Sequence, residues 1–234
     1  MERHVKSVDK HLNQLYKTSK DPIVRREAAL GGLANLFLWL GWLRSNETFT
    51  LTWEDVTSIH PSRAAEFELP TGLGFLELRL DPETKSNRTR QVDMIIAHQS
   101  LSGFQPARWL RRARSLSLGA PRTSFIFKDS NGSPWTSRFF RQQFLYPVLR
   151  RLKNEGDPAL SKIDIVKAYW SLHCYRRGSR THVSFKLPGR TTKASKEMIY
   201  KHGRWNYHTQ KLPIDVLYLQ WSYKDRIKLT RLYM

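Results

Sequence analysis

The run from Leu30 to Leu43, Leu-Gly-Gly-Leu-Ala-Asn-Leu-Phe-Leu-Trp-Leu-Gly-Trp-Leu, carries no charge. Read as a helix it is apolar on every side, so it belongs inside a core and must be covered all round by other elements. It is too short to span a bilayer, which takes about twenty apolar residues, and Asn35 interrupts it. Asp21-Pro22 reads as a break and a helix start. The sequence therefore predicts a buried helix from Val24 to about Leu43, ending just before Arg44. Over 234 residues with 40% hydrophobic and 12% aromatic content, the chain can build one large or two small domains around it.

The remaining surface is strongly cationic. Forty Lys and Arg stand against twenty Asp and Glu, a formal charge of +20. Nucleic acid is the first partner such a charge suggests, because binding phosphates releases counterions. The single cysteine, Cys174, allows no intramolecular disulfide and no cysteine-based zinc site. That suits a reducing compartment: cytoplasm or nucleus, or the nucleoid if the source is prokaryotic or phage. The polar start, Met-Glu-Arg-His-Val-Lys, is unlike a secretory signal. No membrane association, cofactor or metal is expected. Asp55, Asp93 and Asp164 have no spacing that makes them a metal site.

The other elements follow from periodicity. Residues 3–19 place Val5, Val8, Leu12, Leu15 and Tyr16 on one side of a short basic helix or arm. Residues 56–96 read as a small antiparallel sheet. Leu76, Leu78 and Leu80 alternate with Glu77 and Arg79, and Val92, Met94 and Ile96 alternate with Asp93 and Ile95. Between them, Asp81 to Asn87 has turn chemistry. A helix over 104–118 turns Trp109, Leu110, Ala113 and Leu116 inward and leaves an arginine stripe, Arg108 to Arg114, outward. Ser124–Phe127 is a short strand candidate. Ser133-Pro134 is expected to cap a helix with Phe140, Phe144, Val148 and Leu152 inside, Arg138 and Arg141 around it, and a kink at Pro147. Further helices are expected over 173–186, over 194–202 and from Ile214, before a basic tail at 224–234. The expected fold class is mixed, mainly α with a small antiparallel β-sheet. The expected organisation is a basic N-terminal helix or arm (1–21), a main domain (22–223) and that tail.

Chemistry concentrates in Leu172-His-Cys-Tyr-Arg-Arg-Gly-Ser-Arg180. On a helix His173 and Arg176 share a face, a proton-transfer group beside a forked cation that suits a phosphate. Alone, the pattern also fits a solvated basic face. Arg44 is a second cation held rigidly, directly after the buried helix, with Glu47 three residues on to orient it. Lys85 falls at the tip of the expected hairpin.

In this order, the residues resemble the catalytic domain of the tyrosine recombinases, the phage-integrase family. Gly41-Trp-Leu-Arg44-Ser-Asn-Glu47, followed by Leu51-Thr-Trp-Glu-Asp-Val56, is similar to the first family box. Thr84-Lys85-Ser-Asn is similar to its hairpin lysine. His173-Cys-Tyr-Arg176-Arg-Gly-Ser-Arg-Thr181 is similar to the His-x-x-Arg box, in a form close to that of eukaryotic mobile elements. His202-Gly-Arg-Trp205 is similar to the His-or-Trp segment. The resemblance covers roughly residues 22–223.

The resemblance implies cleavage and rejoining of double-stranded DNA through a covalent 3′-phosphotyrosine, without metal, by a homo-multimer, in recombination, integration or transposition. It implies that Arg44 and Arg176 clamp the scissile phosphate, Lys85 protonates the leaving oxygen, His173 moves the tyrosine proton, and Trp205, or alternatively His202, closes the site. Tyr218 is the expected nucleophile, Tyr223 the runner-up and Tyr233 a third choice; Tyr207 is too close to Trp205. Arg108, Arg111, Arg112, Arg138, Arg141, Arg177 and Arg180 are expected on the DNA backbone. The family usually carries a separate N-terminal clamp domain, which the residues before Asp21 are too few to form. Two alternatives remain: strand relaxation of the type IB topoisomerase kind, and a DNA-binding module derived from a recombinase that has lost catalysis.

Overall fold

The computed structural model describes residues 1–67, 72–80, 92–100 and 102–184. The helix expected around the apolar run is α2, Pro22–Leu40. Asp21 caps it, its carboxylate accepting from the Ile23 N–H at 2.8 Å, with Pro22 at the first position. From Ala28 onward every residue of α2 is buried. The helix stops three residues earlier than its apolar pattern. Gly41 ends it, and Trp42 takes a φ of 49°, a left-handed conformation that is an outlier for a bulky residue. Trp42 and Leu43 stay buried although they have left the helix.

The N-terminal helix forms as α1, Glu2–Thr18, and packs along α2. Val5, Val8 and Leu12 lie in the same apolar cluster as α2. A helix over Pro106–Ser115, α4, crosses α2 on another side. The crossing is close at Gly32, where a Cβ would come within 2.5 Å of the Trp109 ring. After α2 comes a one-turn helix, α3, Ser45–Phe49.

The sheet has three antiparallel strands in the order β1 (Val56–Ile59), β2 (Phe75–Leu80) and β3 (Val92–Ala97). Leu76 stands opposite Ile96, and Leu78 opposite Met94, which puts the expected apolar face on the main core. The other face is not simply solvated. Ile59, Phe75 and Ile95 form a second small cluster with Ala64 from the 3-10 stretch Pro61–Phe67. The fold is thus a mixed α+β one with a small three-stranded antiparallel sheet.

Two local expectations are corrected. Ser124–Phe127 makes only an isolated bridge, Phe125 to Thr52, and no strand. The helix expected from Ser133-Pro134 starts later: Thr136 is its cap, accepting from the Phe139 N–H at 3.0 Å, while Pro134 bridges to Lys128. That helix runs as α5 (Ser137–Phe139), a π turn (Phe140–Leu145) and α6 (Tyr146–Asn154). Pro147 has no N–H to give the preceding turn, and the turn just upstream of it is the π turn. The last described helices are α7, Ile165–Ala168, and α8, His173–Ser184. Among the described residues no helix is long and apolar enough to cross a membrane.

Candidate functional site

The site begins at the corner between α2 and α3. Leaving the helix through Trp42 turns the chain so that Arg44 emerges in extended conformation, φ −71° and ψ 155°, as the N-cap of α3. Glu47 lies at the third helical position and folds back in the manner of a capping box. Its carboxylate accepts from the Arg44 backbone N–H at 2.7 Å and from the guanidinium at 2.9 Å. The Glu47 side chain is 5% exposed and that of Arg44 31%. One buried carboxylate therefore starts the helix and aims the cation that precedes it. Ser45 and Asn46, which follow it, are residues of the helix itself.

α8 brings the second half. It packs on α2 through a buried polar link inside the apolar core. The Tyr175 hydroxyl donates to Asn35 Oδ1 at 2.7 Å, and Asn35 Nδ2 donates to the Val5 carbonyl at 3.3 Å, tying α8, α2 and α1 together. Gly178 makes room for the N-terminus on α8: a Cβ there would be 2.5 Å from the Met1 side chain and 3.3 Å from the Trp39 ring. Burial raises the Tyr175 phenol well above its ordinary value, so it stays a hydrogen-bond donor.

On α8 the two motif residues face different surroundings. His173 is exposed, whereas Arg176 is 3% exposed. The His173 pKa is lowered, first by partial burial and then by the positive charges of Arg176, Arg177 and Arg44. The imidazole is thus held neutral near pH 7, able to accept a proton. Arg44, from the other half of the chain, adds to the charges on α8 in lowering the pKa of this ring, after burial, Arg176 and Arg177. Cys174, next to it, is a poor nucleophile: burial pushes its thiol up to about 12.

Lys85, His202, Trp205, Tyr218, Tyr223 and Tyr233 lie outside the described residues, as does the side chain of Arg180. Of the arginines expected on DNA, Arg111, Arg138 and Arg177 are exposed. The stripe from Arg108 to Arg114 divides, because its other members lie on aromatic rings. Arg112 sits 4.2 Å from the Tyr16 ring centroid and 4.8 Å from that of Trp109, and it donates to Asn13 at 2.9 Å. Arg108 stands 5.9 Å from Trp109 and 4.0 Å from Asp9, and Arg114 lies 4.9 Å from Trp53. Arg108 and Arg112 thus brace α4 against α1, while Arg114, still exposed, lies against Trp53 of the segment between α3 and β1. Arg141 is also engaged: it donates to the Trp170 carbonyl, just before α8.

Asp55 and Asp164 have local structural roles. Asp55 accepts from the Thr52 N–H and hydroxyl, and Asp164 caps α7. The anchoring of α8 was not anticipated from sequence, although a lone Asn35 in an apolar run is a usable signal for a buried polar link. Compared with protein-family models and with curated proteins, the chain matches none.

Proposed function

We propose that the protein cleaves and rejoins double-stranded DNA through a covalent 3′-phosphotyrosine, as the resemblance to tyrosine recombinases implies. The observation that carries this reading is the Arg44 guanidinium held at 2.9 Å by the buried Glu47 carboxylate just after α2, together with His173 on α8, whose pKa is lowered first by burial and then by the charges of Arg176, Arg177 and Arg44. A phosphoryl-transfer transition state gathers negative charge on the nonbridging oxygens, and fixed guanidiniums stabilise it. Arg44 is the open cation, held by Glu47, and Arg176 the enclosed one, in surroundings where its charge acts more strongly. His173 takes the proton of the attacking tyrosine, Tyr218 or Tyr223. A tyrosine O–P bond forms as the bond from phosphorus to the 5′ oxygen breaks. Lys85 supplies the proton that this oxygen needs to leave as a hydroxyl. Reversal on a new 5′ hydroxyl rejoins the strand. The positive net charge suits nucleic acid under every reading, and assembly of several copies on double-stranded DNA belongs to this one.

The test is adduct formation on a pool of nicked duplexes with randomised sequence, in EDTA. We expect an SDS-resistant protein–DNA adduct that disappears with Tyr218→Phe and falls about a hundredfold or more with Arg44→Ala or Arg176→Ala. Loss with Tyr223→Phe alone would move the nucleophile. Duplex binding without any adduct across the pool would establish the binding module instead.

A further inference from the structure

A groove of about 1160 Å³ runs from His173 along the start of α1 and the loop before α8. Among the described residues its charged lining is uneven. Arg3, Lys167 and Arg177 are exposed cations, while the carboxylate is that of Glu2. Glu2 is already engaged, 3.1 Å from Lys6 and 3.3 Å from His182. On this groove lies Trp170, 74% exposed.

The backbone at Trp170 is not loose. The preceding residue, Tyr169, is buried, its hydroxyl is 2.9 Å from His4 Nδ1, and its carbonyl accepts from the Tyr146 hydroxyl at 3.0 Å. The Trp170 carbonyl accepts from Arg141. The two donors belong together. The Tyr146 N–H bonds to the Arg141 carbonyl, the i to i+5 link of the π turn, so their side chains are one turn apart. They hold two successive carbonyls and leave the indole outside. A large apolar ring thus stands exposed on a held stretch of backbone, in a groove lined by three exposed cations.

That combination suits a single nucleic-acid strand. An unpaired base offers a face for stacking on the indole, and the strand's phosphates meet the cations. In a duplex the base faces are already covered by their neighbours. We propose that this groove binds single-stranded DNA, with an unstacked base on Trp170 and the backbone along Arg3, Lys167 and Arg177. It adds a strand site beside the cleavage site proposed above. Its test reads binding alone, so the two readings fail separately.

The experiment is fluorescence anisotropy of a fluorescein-labelled oligo(dT) about twelve nucleotides long, with a duplex of the same length as reference. Trp170→Ala is expected to weaken oligo(dT) binding about tenfold, and Trp170→Phe to keep most of it, because a phenyl ring still stacks. Duplex binding should stay within about twofold, since the substituted side chain is exposed. Lys167→Ala should lower the salt slope for oligo(dT) by about one contact. Unchanged oligo(dT) binding by Trp170→Ala would overturn the proposal. So would a parallel loss of oligo(dT) and duplex binding, which would assign the residue to general charge or folding.

Discussion

At the scale of single residues, Glu47 is the most consequential group that touches no proposed substrate. It is buried, it closes the first turn of α3, and it fixes Arg44. Glu47→Ala removes two charge-assisted hydrogen bonds and should cost about 2 kcal/mol, read as a lower urea midpoint. Glu47→Gln keeps an acceptor and should lose less. An unaltered midpoint for the alanine variant would show that the pair contributes nothing. Arg44 with Glu47 three residues on was legible in the sequence, because a capping box is a local pattern. The fate of the arginine stripe was not legible. Arg111 is exposed, while Arg112 covers Tyr16 and Arg114 lies against Trp53, and a ring far away in the chain leaves no local mark.

At the scale of elements, the anchoring of α8 decides whether the candidate site exists. Leucine and tryptophan surfaces would accept a helix at several rotations. The hydrogen bond from Tyr175 to Asn35 admits one. Tyr175→Phe leaves Asn35 Oδ1 in the core without this donor. The expected loss is about 1–3 kcal/mol by chemical denaturation, with the helical circular-dichroism signal retained. Stability equal to the parent protein would mean that the link is replaced by another. Element existence was largely readable: α1, α2, α4, the sheet and α8 follow from periodicity of 3.6 or 2. The boundaries moved where tertiary structure intervened. Trp42 ends the packed helix before its apolar pattern does. Pro147 shifts its disturbance into a π turn one step earlier, because the missing N–H is felt by the turn before the ring.

At the scale of the whole molecule, pH and charge act in the same direction. His4, His11, His98 and His173 all have lowered pKa values, with burial the largest cause in each. Unfolded histidines titrate near the ordinary value of 6.5. Below that value the unfolded chain binds more protons than the folded one, so stability falls as the pH drops. Asp9, raised by burial, has the opposite sign, but it acts in the carboxylate range. Thermal unfolding at pH 5.5 should therefore occur at lower temperature than at pH 7.5. An equal or higher midpoint at pH 5.5 would contradict the lowered pKa values of these imidazoles. Added protons also enlarge a net charge that is already +20, which works the same way.

The corner at Trp42 and the docked α8 have different histories within one fold. Arg44 and Glu47 are three residues apart and meet as soon as α3 forms. His173 and Arg176 take their places only when a distant helix seats on Asn35. A local opening that lifts α8 would carry off the imidazole and its arginines while Arg44 kept its carboxylate. The candidate site can thus be dismantled and rebuilt by the undocking of one helix, which also uncovers Asn35 on α2.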